Sequence, residues 1–243
     1  ENNGKLIAEW SYKLAVAYYV SGDYRKASEA NSEARMELKR AGKDAVWCDL
    51  LDVAVYRNKD MHEPAKHLLE QVMQRLKGWS YDKDARLFAH IQTLRIIIKE
   101  EEEEEEEERN TDSGRKQATE VRDYAKSSDS PVLVAIACDV LGDYYSQSNE
   151  PKRAAEKYAT SAELLKGLGS YEFMRESLVR AAESHAAAGQ DTDAAFRYLE
   201  ASRSYYAANP ASARGPELLA KAIAHAKKSG DVKLLSEMKA LSL

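Results

Sequence analysis

Glycine, proline, cysteine and phenylalanine are all scarce in this chain, and each scarcity narrows what it can be. Eleven glycines and five prolines among 243 residues leave few points at which a helix must stop. No stretch alternates apolar and polar residues for long, which argues against strands. The expected fold class is therefore all-α. No apolar run approaches the roughly 20 residues of a membrane span, so no membrane partner is expected. The two cysteines, Cys48 and Cys138, lie far apart in apolar helical stretches, without a CxxC pair or a histidine at metal-binding spacing. They are expected to be reduced, buried thiols. There is no Asn-x-Ser/Thr sequon. Both features lean towards an intracellular chain, cytoplasmic or nuclear. The chain starts at Glu1 and opens on no signal-peptide pattern, as expected of a fragment or a processed chain.

Catalytic groupings are missing too. His62, His67, His90, His185 and His225 are scattered, and His62 and His67 stand five apart where a helix-borne metal pair needs four. No phosphate-binding glycine loop and no Gly-x-Ser-x-Gly elbow occurs. A catalytic site needs groups fixed together in perturbed surroundings, and nothing here brings them together. No enzyme activity, cofactor or metal is expected.

The net charge is −5, and Glu100 to Glu108 are nine consecutive glutamates. Without them the remaining chain carries +4, so the picture is a mildly basic body with one intensely acidic segment. Glutamates four apart repel one another, so this run is expected to be a solvating loop, helical at most in its first turn. Basic residues form only small patches (Lys39, Arg40, Lys43; Lys221, Lys227, Lys228) without interleaved aromatics. That argues against nucleic acid as a partner.

What is present is a repeat. An aromatic or histidine is followed nine residues later by alanine at four places: Tyr18 and Ala27, Tyr56 and Ala65, Tyr145 and Ala154, His185 and Ala194. A turn residue lies between them each time: Gly22, Asp60, Asn149 and Gly189. A small residue or valine follows seven further on, at Ala34, Val72, Ser161 and Ala201. Successive turns are 38, 40 and 41 residues apart, from Gly22 to Asp60, Asn149 to Gly189 and Gly189 to Gly230. The 89 residues from Asp60 to Asn149 hold two periods and a surplus, which falls on the glutamates. A fixed period of this length marks stacked helix hairpins, each burying its apolar face against the next. The small residues let helices approach closely, and the aromatics fill the wider gaps. Six hairpins are expected in one domain over residues 1–243, with an acidic insertion at 100–114 in the turn of the third. Its first helix is expected over 81–99 and its second from Arg115.

The pattern resembles the tetratricopeptide repeat family. Leu14-Ala15, Tyr18, Gly22, Tyr24, Ala27 and Ala34 carry the likeness, as do Leu141-Gly142, Tyr145, Ala154 and Tyr158, and Ala181-Ala182, Gly189, Ala194, Tyr198 and Ala201. The usual period in that family is shorter, so the chain is similar to its long-helix members. The resemblance implies a right-handed superhelical α-solenoid that binds a peptide or helical segment of a partner protein on its concave face. It equally fits a structural subunit or regulatory segment of a larger assembly. The family's inward positions fall here on Glu9, Tyr12, Val16 and Tyr19; on Trp47, Leu50, Ala54, Arg57 and Asn58; and on Phe88, Gln92 and Arg95. Of these, Tyr12, Tyr19, Trp47, Arg57, Asn58, Phe88, Gln92 and Arg95 are the expected contact residues. Later repeats offer Asp139, Asp143, Ser146, Val179 and Glu183, and then Glu217, Lys227 and Lys228. The ligand implied is apolar and acidic at one end and basic at the other. Tyr12, Val16 and Ala54 stand where chaperone-binding members carry a carboxylate clamp, so binding of that kind of tail is not expected.

Overall fold

A computed structural model describes residues 2–77, 82–103 and 111–240. Among them are twelve helices and no strand. They are α1 (Asn2–Val20), α2 (Tyr24–Arg40), α3 (Val46–Asn58), α4 (His62–Lys77), α5 (Lys83–Glu103), α6 (Thr111–Ser127), α7 (Pro131–Gln147), α8 (Pro151–Gly167), α9 (Tyr171–Ala187), α10 (Asp191–Ala208), α11 (Arg214–Ser229) and α12 (Val232–Ala240). From α1 to α5, and again from α7 to α12, each helix packs on the next. The chain divides into two compact units, Glu1–Glu120 and Val121–Leu243, with the division inside α6.

The nine-residue offset has a direct physical cause in the turn. The backbone enters the left-handed region at Gly22 (φ 81°), Asp60 (φ 55°), Asn149 (φ 56°) and Gly189 (φ 71°). The next residue then donates its N–H to the carbonyl of the aromatic or histidine five positions back. Asp23 reaches Tyr18, Met61 reaches Tyr56, Glu150 reaches Tyr145 and Gln190 reaches His185, all at 2.8–2.9 Å. This is the Schellman closure of a helix C-terminus. The same four residues accept the first helical bond of the following helix, from Ala27, Ala65, Ala154 and Ala194, at 2.9–3.2 Å. Five residues back and four forward make nine. Side chains add to the start signals: Asp23 accepts from the Lys26 N–H, Ser130 from Leu133 and Asp82 from Ala85. Pro131 and Pro151 sit at first helical positions, where a missing N–H costs nothing.

The small residues do what their spacing implies. Ala27, Ala34, Ala65, Ala154, Ala194, Ala201 and Ser161 are completely buried, and Tyr158 and Tyr198 are buried beside them. A Cβ on Gly142 would lie 2.6 Å from the Tyr158 ring, so α7 and α8 close only over a bare backbone there. In the first unit Asn31 on α2 donates to the Cys48 carbonyl (2.7 Å) and to Asp52 (2.6 Å). Arg35 bridges Asp49 (3.1 Å) and Asp52 (2.5 Å). These bonds fix how α3 seats on α2. Both cysteines are free and buried, and burial pushes the Cys48 thiol up to about 11.

The third hairpin differs from expectation at its ends. α5 runs on through Glu100–Glu103, and α6 begins at Thr111 rather than Arg115, so the insertion is shorter than 100–114. Lys66 pairs with Glu100, and Lys99 with Glu102 (3.5 Å) and Glu103 (3.6 Å). Cations on two helices thus offset the repulsion over this first stretch. Glu104–Glu108 and the expected helix start at Tyr81 lie outside the described residues.

Three substitutions test this account. Gly189→Ala forces a Cβ into the left-handed region and lowers stability by about 1–2 kcal/mol, whereas Asn149→Gly raises it by up to about 1 kcal/mol. Gly142→Ala overpacks against Tyr158 and costs about 1–3 kcal/mol. Urea unfolding of the three variants measures each difference.

Candidate functional site

The first helices of the first unit's hairpins, α1, α3 and α5, lie side by side and carry all eight expected contact residues. Four of the eight form one network. Tyr19 on α1 accepts through its hydroxyl from Asn58 Nδ2 (3.0 Å) and from the Arg57 guanidinium (3.5 Å) on α3. Arg57 Nε also donates to Gln92 Oε1 on α5 at 3.2 Å. Three successive hairpins are thereby tied across one face. Gln92 is completely buried, and its Nε2 has no hydrogen-bond partner. A buried amide donor without an acceptor costs about 1–3 kcal/mol.

A second group lies on the same helices. The Trp47 ring sits 6.0 Å from Phe88, and its indole N–H donates to Asp82 at 3.1 Å. Both rings are half-buried against the core of α3, α4 and α5. Arg95 is half-buried on α5, one turn beyond Gln92.

Tyr12 is different. It packs against Ala15, Ala30 and Leu51 on one side and Ala34, Ala45 and Cys48 on the other, and burial pushes its phenol well up. It is mainly a wedge between helices. Leu50 and Ala54, which the family mapping also placed on the inward face, are completely buried. Their positions face the core of the stacked hairpins. Asp82 and Tyr56 were not singled out as site residues, although Asp82 holds the Trp47 indole. A helix-capping aspartate three residues before Ala85 was the signal available for it.

The second unit has a polar cleft of its own, about 230 Å³, lined by Ser146, Asn149, Tyr158, Arg180 and Glu183 among others. Its carboxylates are largely used within the fold. Tyr158 donates to Asp143 at 2.6 Å, Arg180 donates to Asp143 at 3.2 Å, and Ser177 donates to Asp139 at 2.9 Å. Burial raises the Asp139 carboxyl above its ordinary range despite the serine bonds and Arg180. Val179 is buried. Glu183 is exposed at the rim. In the last hairpin Glu217 is engaged by Arg214 (2.8 Å) and Lys221 (3.5 Å), and Lys228 by Asp191 (3.1 Å).

Comparison with known proteins gives little beyond this. No family model matches the chain, and no curated protein matches it. A solved structure, the TPR2AB-domain:pHSP90-complex of yeast Sti1, is similar over 96% of this chain and 96% of that chain, at 16% identity and a TM-score of 0.32. The tetratricopeptide likeness stands on the repeated residues and turns of this chain itself.

The raised Asp139 carboxyl has a pH signature. Its folded value lies above the unfolded one, so ionisation opposes folding once pH exceeds the unfolded value near 3.9. Asp139→Asn keeps an oxygen that can accept from Ser177 and removes that opposition. The variant is therefore expected to exceed the parent in melting temperature at pH 7 and to lose the advantage near pH 3.5. An advantage that does not shrink on acidification contradicts the assignment.

Proposed function

We propose that this chain is a non-catalytic protein-interaction scaffold. Its ligand is an extended or helical segment of a partner protein, laid across α1, α3 and α5 of the first unit. The partly exposed Arg57, held between Tyr19 and Gln92 on the helices that also carry Trp47 and Phe88, carries the reading. Asn58 and Arg57 give donors, Gln92 holds the guanidinium from beneath, and Trp47 and Phe88 give aromatic surface on the same layer. Aromatic rings and arginine are the residue types that dominate binding hot spots. Donors of this kind suit main-chain carbonyls and side-chain carboxylates. The segment they fit bears an apolar residue for the Trp47–Phe88 rings and an acidic or carbonyl acceptor for Arg57 and Asn58. Tyr19 acts as a positioning residue, holding Asn58 and Arg57.

Copurification of the intact tagged protein with mass spectrometry identifies the partner, and titration of that partner's segment measures affinity. Arg57→Glu with Arg95→Glu is expected to weaken binding at least tenfold, about 1.4 kcal/mol, with a lowered melting temperature but without unfolding the array, since Arg57 also ties α1 to α5. Gln92→Leu removes the acceptor that holds Arg57 Nε, so it weakens binding while leaving stability within about 1 kcal/mol of the parent. Unchanged affinity in both variants refutes this face as the binding surface.

A further inference from the structure

The outer face of α1 carries an exposed apolar stripe, with only the Lys13 ammonium of the same helix over the Trp10 ring at 5.0 Å. Trp10 is 66% exposed, Leu6 51%, Leu14 47% and Ile7 45%. At 100° per residue these four fall within one stripe about 100° wide, the width of a helix face that normally meets a core. The adjoining face, with Ala8, Ser11 and Ala15, is already buried. α1 is therefore apolar on two sides, whereas an end helix exposed only to water needs one.

The register of the repeat says what belongs there. Trp10 stands twelve residues before the left-handed turn residue Gly22. The residues twelve before Asp60, Asn149, Gly189 and Gly230 are Cys48, Ala137, Ser177 and Leu218, each at most 2% exposed. In α3, α9 and α11 the cover comes from the second helix of the preceding hairpin. α2 reaches Cys48 through Asn31 and Ala34. α8 reaches Ser177 through Ser161, at 3.5 Å. α10 reaches the Gly215 carbonyl through Ser202, at 2.8 Å. These covering helices present small residues at the contact: Ala30 and Ala34, Ser161 and Ala162, Ala201 and Ser202.

We propose that the Ile7–Trp10–Leu14 face docks an amphipathic helix of a partner protein, seated on α1 as α2 is seated on α3. The docking helix bears Ala, Ser or Gly in a stripe at three-and-four spacing, because the bulky indole of Trp10 needs a hole on the opposing surface where Cys48 needs none. The contact continues the stacking interface of the hairpins and uses none of the donors around Arg57, so it does not depend on the proposed groove.

The test uses the intact 243-residue chain and a stapled, fluorescently labelled peptide of the α10 sequence, Asp191–Ala208, read by anisotropy. The parent is expected to bind it saturably. Trp10→Asp is expected to weaken binding more than tenfold, and Lys152→Glu, an exposed position in the second unit, to leave it unchanged. A peptide with Ala201→Trp and Ser202→Trp is expected not to bind. Trp10 is exposed, so its variant should melt with the parent; Leu14→Glu replaces it if it does not. Absence of saturable binding, or equal binding by parent and variant, overturns the proposal. So does sedimentation showing a parent dimer that Trp10→Asp dissociates, since the face would then serve a second copy of the chain.

Discussion

The array depends on one hydrogen bond made again and again. A residue just past a left-handed turn position donates its N–H to a carbonyl five residues earlier, then accepts the first bond of the next helix. That single residue ends one helix and starts another, leaving no slack between them. The angle between paired helices is thereby set by backbone geometry before any side chain packs. Alanine follows because the first turn of the second helix lies against its partner, and only a small side chain fits the gap. The aromatic precedes it because its carbonyl sits at the widening end of the hairpin. The turns from one hairpin to the next reuse the device: Lys43 donates to Leu38 and Ser170 to Leu165, both at 2.9 Å, after Gly42 and Gly169.

This explains which parts of the fold could be read in advance. A hydrogen-bond count is a fixed number of residues, so the offset from Tyr18 to Ala27 survives translation from sequence to structure unchanged. The ends of the third hairpin did not, because their extent depends on partners distant in sequence. Four glutamates alone give no reason for α5 to continue. Lys66, a whole helix earlier, supplies one by pairing with Glu100. Repulsion within the run was a local argument, and the neighbouring helix provided the opposing term.

The site was legible only in part, for a related reason. Repeat register assigns a residue to a layer but does not say how deep it lies. Leu50, Ala54 and Arg57 fall in one register-derived set, yet the first two are sealed in the core and the third is half-exposed. Tyr12 turned into a wedge because Ala34, Ala45 and Cys48 leave room for a ring between α1, α2 and α3. The Tyr19–Arg57–Gln92 chain needed the spacing between helices, which no sequence offset contains. The open stripe on α1 went unread in the sequence, although Ile7, Trp10 and Leu14 stand at three-and-four spacing. Its meaning appeared only once the matching positions of other helices were seen to be covered.

Side chains that look in sequence like docking groups are in part spent inside the fold. In the second unit Asp139 and Asp143 look in sequence like a docking surface for cations. The structure gives their oxygens to Ser177, Tyr158 and Arg180, so they hold hairpins together. Unpartnered buried polar atoms remain in both units, Gln92 Nε2 in the first and Arg175 Nε in the second. A buried network that satisfies every member rigidifies the packing, whereas a buried donor left without an acceptor costs stability. The acidic positions of the second unit therefore serve chiefly to brace the stack.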